Sequence, residues 1–219
     1  TRGGYSTNMV VDESFAIRVP KDAPLEKVGP LMCAGITTWS PIMQCGIKAG
    51  DKVGVAGFGG LGHMAVQYLV SLGAEVTVFA LRLGAKRYVN VTREEEMQGL
   101  DNTLRFILST IPASYDPMMY INILKVGGTL AVVGMPAVKD APQINITALQ
   151  NRYLTTSIIG GIKETQEVVD YSVAHGIYPE TVVIPADASA IDKAYRDVVD
   201  GKVKFRYVID LKTIKTEKQ

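Results

Sequence analysis

A run of glycines at residues 57–62, set between a predicted strand and a predicted helix, constrains the fold more than any other feature of the sequence. The surrounding segment, residues 52–80, is KVGVAGFGGLGHMAVQYLVSLGAEVTVFA. Its first apolar residues predict a short buried strand, and the apolar residues between 60 and 72 recur with helical spacing. Residues 76–79 predict a second strand because they are apolar and largely β-branched. The segment therefore predicts a strand, a glycine loop, a helix and a strand in succession.

The glycine run matches the pattern G-x-G-x-x-G. Gly57 would let the chain turn sharply off the strand, Gly59 would let the backbone approach a pyrophosphate, and Gly62 would let helix and strand pack closely. The start of the helix then offers N–H groups and a positive dipole end to phosphates. Glycines also mark ordinary turns, but this setting favours dinucleotide binding. The predicted cofactor contacts in this loop are Gly57, Gly59, Gly60, Leu61 and Gly62.

The end of the second predicted strand bears on which dinucleotide would bind. Proteins that prefer NAD usually carry Asp or Glu there to hold the ribose 2′-hydroxyl. This strand ends at Phe79 and Ala80, and the nearest acid, Glu75, lies at its beginning. Because a carboxylate would repel the 2′-phosphate of NADP, its absence favours NADP over NAD.

The connection after this strand is unusually short. Only residues 81–87 separate it from the next predicted strand, at 88–91. A crossover between parallel strands ordinarily takes about a dozen residues or more. Either the unit has lost its helix or residues of the natural protein are missing from this chain, and we favour the second interpretation. The gap would fall where a 2′-phosphate pocket is expected.

Strands and helices continue to alternate after residue 100. Predicted strands span 106–111, 129–133 and 155–159, and predicted helices span 117–124 and 163–175. Buried strands separated by helices predict an α/β fold with a doubly wound parallel sheet, as in the Rossmann fold. Ligands of such sheets bind at the carboxyl ends of the strands, although core packing explains each apolar residue there equally well. The predicted cofactor contacts at these ends are Thr110, Ile111, Val133, Gly134, Ser157 and Ile159.

The two flanks differ from this pattern. Residues 3–19 predict strands joined by turns, and a proline-bounded break precedes a helical stretch that contains Cys33. Near the end, the sequence predicts a helix and then a strand. We interpret the flanks as parts of a second, β-rich domain that is incomplete here. The predicted divisions are a remnant of that domain at 1–25, a dinucleotide-binding domain at 26–184 and a return to the second domain at 185–219.

Charge and cysteine content exclude several partners. The chain has 23 Lys and Arg against 22 Asp and Glu, so nothing indicates a nucleic-acid or membrane surface as partner. No apolar run approaches the roughly 18 to 20 residues that span a membrane. Two cysteines, Cys33 and Cys45, make no disulfide framework, which favours a reducing cytoplasm.

Several strings in order resemble one known family. They are GGYSTNMVVDESFAIRVP, PLMCAGITTWSPI, the glycine segment, GGTLAVVGMP, SIIGGIKETQE and KVKFRYVIDL. Together they resemble the medium-chain, zinc-dependent alcohol dehydrogenases, in the branch of the cinnamyl alcohol dehydrogenases. The resemblance implies hydride transfer between NADP(H) and a primary alcohol or aldehyde, a catalytic zinc and a homodimer. It also implies aromatic or medium-length substrates, whose identity the sequence does not reveal.

The resemblance assigns roles to three residues. Cys33 matches a cysteine that ligates the catalytic zinc, whereas an isolated cysteine is otherwise more often a small buried hydrophobe. An open zinc position would bind the alcohol oxygen and lower its pKa. Thr37 matches a threonine that lies against the nicotinamide, and Arg206 matches an arginine that approaches the pyrophosphate.

The family's other zinc ligands have no counterpart in this sequence. Cys45 stands where the family has no ligand. His63 follows the glycine loop and His175 ends a predicted helix, so we interpret both as structural or surface residues rather than ligands. We therefore expect this chain alone neither to hold zinc tightly nor to turn over alcohol. Two interpretations stay open. In the first, which we favour, the chain is part of a complete NADP-linked alcohol dehydrogenase or aldehyde reductase. In the second, it is a truncated, non-catalytic dinucleotide-binding protein.

Overall fold

The chain divides into two compact units in the computed structural model. The sheet unit is Ala34–Gly160, and the flanking unit comprises Thr1–Cys33 and Gly161–Gln219. The residues that the structure describes are 4–79, 88–89, 94–136, 139, 144–202 and 205–214.

The sheet unit alternates strands and helices. Its strands are β1 (Lys52–Ala56), β2 (Glu75–Phe79), β3 (Tyr88–Val89), β4 (Leu104–Ser109), β5 (Leu124–Val132) and β6 (Tyr153–Thr156). Its helices are α2 (Ala34–Gln44), α3 (Gly62–Ser71), α4 (Glu94–Met97) and α5 (Met118–Ile121), with a 3-10 turn at Ile146–Leu149. Helix α1 (Leu25–Val28) belongs to the flanking unit.

All six strands are parallel, in the order β3-β2-β1-β4-β5-β6. Val53 of β1 pairs with Val76 on one side and with Phe106 on the other, so β1 lies at the centre. This is the strand order of the Rossmann fold, in which the order reverses beside β1. The predicted fold class is confirmed.

The centre of the sheet is covered by helix α3 and by the helix that precedes β1. Tyr68 of α3 is fully buried, and Trp39 of α2 meets its ring edge-on, with centroids 5.2 Å apart. Burial of such aromatic pairs contributes both apolar area and a favourable ring geometry. The start of α3 is therefore fixed against the sheet by packing further along the helix.

A half-buried ion pair closes the loop between α2 and β1. Arg105 donates to the carboxylate of Asp51 and also to the carbonyl oxygens of Cys45 and Gly46, at 3.2 and 3.1 Å. Burial alone would raise the pKa of Asp51, but the backbone N–H of Lys48 and the Arg105 guanidinium outweigh it and lower that pKa. The loop thus depends on an ionised Asp51.

The flanking unit contains a two-stranded parallel sheet of β7 (Thr181–Pro185) and β8 (Arg206–Asp210). Its helices are α1 (Leu25–Val28), α6 (Ile162–His175) and α7 (Ala188–Val199), with 3-10 turns at Glu13–Phe15, Gly29–Met32 and Leu211–Thr213. Asp187 caps α7, because its side chain accepts a hydrogen bond from the N–H of Ala190 at 2.9 Å.

Several predicted elements need correction. The predicted strands within residues 3–19 are wrong, because the described residues there form only a 3-10 turn and no strand. Cys33 lies between a 3-10 turn and α2 rather than inside one helix. The predicted strand at 106–111 begins and ends two residues earlier, so Thr110 and Ile111 follow it. The strand predicted at 155–159 likewise ends at Thr156, and β7 was not predicted.

Helix α6 contacts the turn at Gly29–Met32, and both belong to the flanking unit. The domain division at 1–25, 26–184 and 185–219 stays a prediction. The short connection predicted at residues 81–87 and the end of the strand predicted at 88–91 lie outside the described residues.

In the part of the chain that the structure describes, no helix has the length and apolarity to cross a membrane.

Candidate functional site

The chain leaves β1 through a sharp turn at Gly57. Its φ is +88°, a value that side-chain-bearing residues rarely adopt, and its N–H donates to the carbonyl oxygen of Phe79 at 2.9 Å. At Gly59 a Cβ atom would meet no other atom within 4 Å, so the backbone there is open to an approaching group. The two glycines therefore occupy the two situations that the sequence predicts for them.

The third glycine brings the start of α3 against this loop. A Cβ atom on Gly62 would lie 2.0 Å from the carbonyl oxygen of Gly57, so only glycine fits without movement. Gly60 and Leu61 complete the loop, and Leu61, the residue before α3, makes no side-chain capping hydrogen bond to the described residues. The N–H groups and positive dipole end of a ten-residue helix thus begin directly beside the open backbone of Gly59.

The end of β4 joins the glycine loop through Thr110. Its N–H donates to the carbonyl oxygen of Ala56 at 2.8 Å, and its hydroxyl donates to the carbonyl oxygens of Ala56 and Gly57 at 3.1 and 3.2 Å. Ile111 follows, and a Cβ atom on Gly134 would lie 2.1 Å from its carbonyl oxygen. The loops after β1, β4 and β5 therefore touch one another at the carboxyl edge of the sheet.

The loops after β5 and β6 extend this edge. Ser109 accepts hydrogen bonds on its carbonyl oxygen from the N–H groups of Val133 and Gly134, at 2.9 and 3.2 Å. The N–H of Ser157 donates to Val132 at 3.1 Å, and Ile159, two residues on, has a φ of +57°. Positive φ is uncommon for a β-branched residue, and such outliers cluster at functional sites.

The structure thus brings eleven of the predicted cofactor contacts to one edge of the sheet unit. They are Gly57, Gly59, Gly60, Leu61, Gly62, Thr110, Ile111, Val133, Gly134, Ser157 and Ile159. Backbone N–H groups at such an edge, together with the start of α3, suit the two phosphates of a dinucleotide.

The residues predicted from the family resemblance belong to different units. Thr37 is buried on α2 in the sheet unit, whereas Cys33 and Arg206 belong to the flanking unit. The Cys33 side chain is exposed, so the described residues do not bury it as a small hydrophobe. Arg206 begins β8, and its Nε is buried without a hydrogen bond among the described residues.

The described residues do not form a complete zinc site. Within the described ranges, no group of three or more His, Cys, Asp or Glu is placed to hold a metal ion. His63 Nδ1 lies 3.2 Å from the Gly59 carbonyl oxygen, and His175 stacks on Tyr171 at a centroid distance of 4.0 Å. Cys45 is half-buried, and burial raises the pKa of its thiol. The described residues therefore offer Cys33 alone and do not complete a zinc site.

The acid that NAD-preferring proteins place at the end of β2 is missing from the described part of that strand. Glu75 is exposed at its opposite end, and Phe79 at its carboxyl end is buried. Residues 80–87, where a 2′-phosphate would be held, lie outside the described residues.

One structural feature of this edge had no sequence signal. The hydroxyl of Tyr115 donates to the buried Ser109 Oγ at 2.7 Å, so the loop after β4 is tied back to the end of its own strand. Tyr115 also lines an apolar cleft of 340 Å³ together with Gly134 and Ser157. A lone tyrosine in a loop gives no periodic pattern from which this contact could be predicted.

Comparisons with known proteins agree with the fold. The family model described as zinc-binding dehydrogenase matches residues 60–174. The chain is 40% identical over 226 residues to the NADP-dependent alcohol dehydrogenase C 1 of Mycolicibacterium smegmatis, covering 99% of this chain and 64% of that protein. It is 39% identical to the mannitol dehydrogenase of Petroselinum crispum, covering 99% of this chain and 67% of the relative.

Solved structures give the same result. A cinnamyl alcohol dehydrogenase from Helicobacter pylori, in complex with NADP(H), has a TM-score of 0.85 and 50% identity, over 96% of this chain and 62% of its own. The cinnamyl alcohol dehydrogenase of Sorghum bicolor has a TM-score of 0.86 and 29% identity, and the match covers 95% of this chain and 62% of the Sorghum protein. The chain thus spans slightly less than two thirds of most of these proteins. The chain belongs to the zinc-binding dehydrogenase family.

Proposed function

We propose that this chain provides the NADP(H)-binding part, and one zinc ligand, of an enzyme that transfers a hydride between NADP(H) and a primary alcohol or aldehyde. The observation that carries the proposal is the contact of Gly57 with Gly62 at the carboxyl edge of a sheet in Rossmann order. This contact places the start of α3 beside open backbone, where a pyrophosphate would be held by N–H groups and the helix dipole.

The preference for NADP rests on charge. No carboxylate stands at the described end of β2, so nothing in that part of the strand would bond the 2′-hydroxyl of NAD or repel a 2′-phosphate. The naming of the mycobacterial relative as NADP-dependent and the NADP(H) complex of the Helicobacter pylori enzyme support the same choice.

The remaining site residues are proposed from the resemblance of their sequence strings. Cys33 would be one ligand of a catalytic zinc, Thr37 would contact the nicotinamide and Arg206 the pyrophosphate. Bound zinc would supply a Lewis acid for the alcohol oxygen. The described residues do not complete the ligand set of such a zinc ion.

A second candidate function is dinucleotide binding without catalysis. It is favoured by the single cysteine that the described residues offer to zinc. The two candidates share the cofactor site and differ in turnover, so an assay of aldehyde reduction by NADPH, with zinc added, separates them.

The assembly and location of the protein are also proposals. Family resemblance supports a homodimer, and the absence of a disulfide framework among two cysteines supports the cytoplasm. Light scattering during size-exclusion chromatography tests the first, and localisation of a tagged protein in cells tests the second.

A titration tests the cofactor proposal directly. We expect NADPH to bind more tightly than NADH, measured by the fluorescence of the reduced nicotinamide. Gly59→Ala should weaken NADPH binding roughly tenfold, or about 1.4 kcal/mol, because its Cβ enters the space where the pyrophosphate approaches. Gly29→Ala is the matched control, since its Cβ also meets nothing within 4 Å but lies in the flanking unit. Equal affinity of wild type and Gly59→Ala would contradict the proposed site.

A further inference from the structure

We infer that Tyr115 is a positioning residue for the dinucleotide site, acting through its hydrogen bond to Ser109. This inference rests on the proposed function, since it concerns the same carboxyl edge of the sheet. The hydroxyl of Tyr115 donates to Ser109 Oγ at 2.7 Å, and Ser109, the last residue of β4, is fully buried. The bond therefore closes residues 110–114 into a short loop between two fixed points.

That loop begins with the residues that contact the glycine segment. Thr110 bonds to the carbonyl oxygens of Ala56 and Gly57, and the backbone of Ile111 lies against Gly134. Thr110 Oγ1 would also be 3.4 Å from a Cβ atom on Gly62. A shift of the loop would therefore move atoms that touch the glycine turn, the start of α3 and the loop after β5.

Aromatic packing holds the ring of Tyr115 in place independently of its hydroxyl. The ring meets Tyr120 edge-on at a centroid distance of 5.6 Å, and Tyr120 meets Phe79 in the same way, also at 5.6 Å. Phe79 in turn accepts the hydrogen bond from the N–H of Gly57. The ring fixes the body of the side chain, and the hydroxyl sets the distance between the loop and the end of β4.

This division of roles makes Tyr115→Phe an informative variant. It keeps the edge-on contact of the ring with Tyr120 and removes only the bond to Ser109. We expect the dissociation constant for NADPH to rise about fivefold, a ratio that the loss of one neutral hydrogen bond can supply. The wild type and Tyr153→Phe, a control on β6 whose side chain is 63% exposed, should bind NADPH equally.

Ser109→Ala and the double variant test whether the two hydroxyls act as a pair. If they do, the double variant binds NADPH as weakly as Tyr115→Phe alone, because the same bond is removed only once. Multiplied effects of the two substitutions would overturn the inference. An unchanged dissociation constant in Tyr115→Phe would overturn it as well.

A purely structural role gives a different result. If the bond only stabilised the fold, Tyr115→Phe would lower the urea midpoint of the cofactor-free protein, measured by Trp39 fluorescence. Its affinity for NADPH in the absence of urea would stay at the wild-type value. That combination of results would overturn the inference. Failure of the wild type to bind NADPH would instead overturn the proposed function, and this inference with it.

Discussion

Replacing Gly62 with alanine should push the start of α3 away from the glycine turn. The new Cβ would lie 2.0 Å from the carbonyl oxygen of Gly57 and 2.9 Å from its carbonyl carbon. Ordinary contacts between such atoms are about 3.5 Å, so helix and turn must separate by about 1 Å or more. Both neighbours are backbone atoms, and no flexible side chain can move aside.

The expected cost follows from two opposing effects. Overpacking of this kind destabilises proteins by about 1–3 kcal/mol, whereas alanine favours a helix over glycine by up to about 1 kcal/mol. We therefore expect a net loss of about 1–2 kcal/mol. With a urea dependence of about 2 kcal/mol per molar, the midpoint should fall by roughly 0.5–1 M.

Trp39 makes this loss measurable in the sheet unit. It is the chain's single tryptophan, and it packs on Tyr68 of the helix that Gly62 begins. Gly59→Ala is the matched control in the same loop: its Cβ meets nothing within 4 Å, so the urea midpoint should stay at the wild-type value. Both variants should lose NADPH affinity, but only Gly62→Ala should lose stability. A Gly62→Ala protein with wild-type midpoint and affinity would refute the reasoning.

Three further predictions concern other parts of the chain. Asp51→Asn should cost on the order of 1 kcal/mol at pH 7, because the paired carboxylate is lost. Since the folded-state pKa of Asp51 is lowered, its contribution exists above the ordinary carboxyl pKa of about 4 and disappears as pH falls through the lower folded value. Asp187→Ala should cost about 1 kcal/mol by removing the cap of α7, measured by hydrogen exchange in that helix. Cys33 should react with a thiol reagent faster than Cys45, since it is exposed and Cys45 is half-buried with a raised pKa.

Each of these has a control. For Asp51→Asn, the difference from wild type in urea midpoint should shrink between pH 7 and pH 3, and a constant difference would exclude the ion pair as its cause. Asp187→Asn keeps a capping side chain and should leave hydrogen exchange in α7 nearly unchanged. For the cysteines, Cys33→Ser should remove the fast phase of thiol labelling and leave the slow phase of Cys45. If Cys33→Ser removed the slow phase instead, Cys45 would be the faster-reacting cysteine and the prediction would be wrong.

The fold of the sheet unit was predictable because its signals are local. The spacing of Gly57, Gly59 and Gly62 is set by one turn, one open backbone position and one close contact, and each appears in the structure as predicted. Buried parallel strands are apolar runs, so five of the six could be placed within a few residues. The exact ends of the strands could not be predicted, because a strand ends where pairing with its neighbour stops. Strand β4, for example, ends at Ser109, which pairs with Ala56, the last residue of β1.

The flanks could not be predicted in the same way. Residues 9–11 are apolar and favour a strand by composition, but they are exposed and pair with no strand among the described residues. A strand needs a partner, which propensity alone does not provide. The Tyr115–Ser109 bond was unpredictable for a related reason: it depends on the path of a loop across the end of β4, which no residue pattern encodes.

Hydrogen–deuterium exchange with and without NADPH tests the central claim, that the carboxyl edge of the sheet unit holds the dinucleotide. We predict that NADPH slows backbone exchange in the segments that form this edge, while exchange in α7 stays the same. Protection confined to α7, or no protection at NADPH concentrations that saturate the fluorescence titration, would contradict this prediction. The segments expected to be protected are 57–63, 110–111, 133–134 and 157–159.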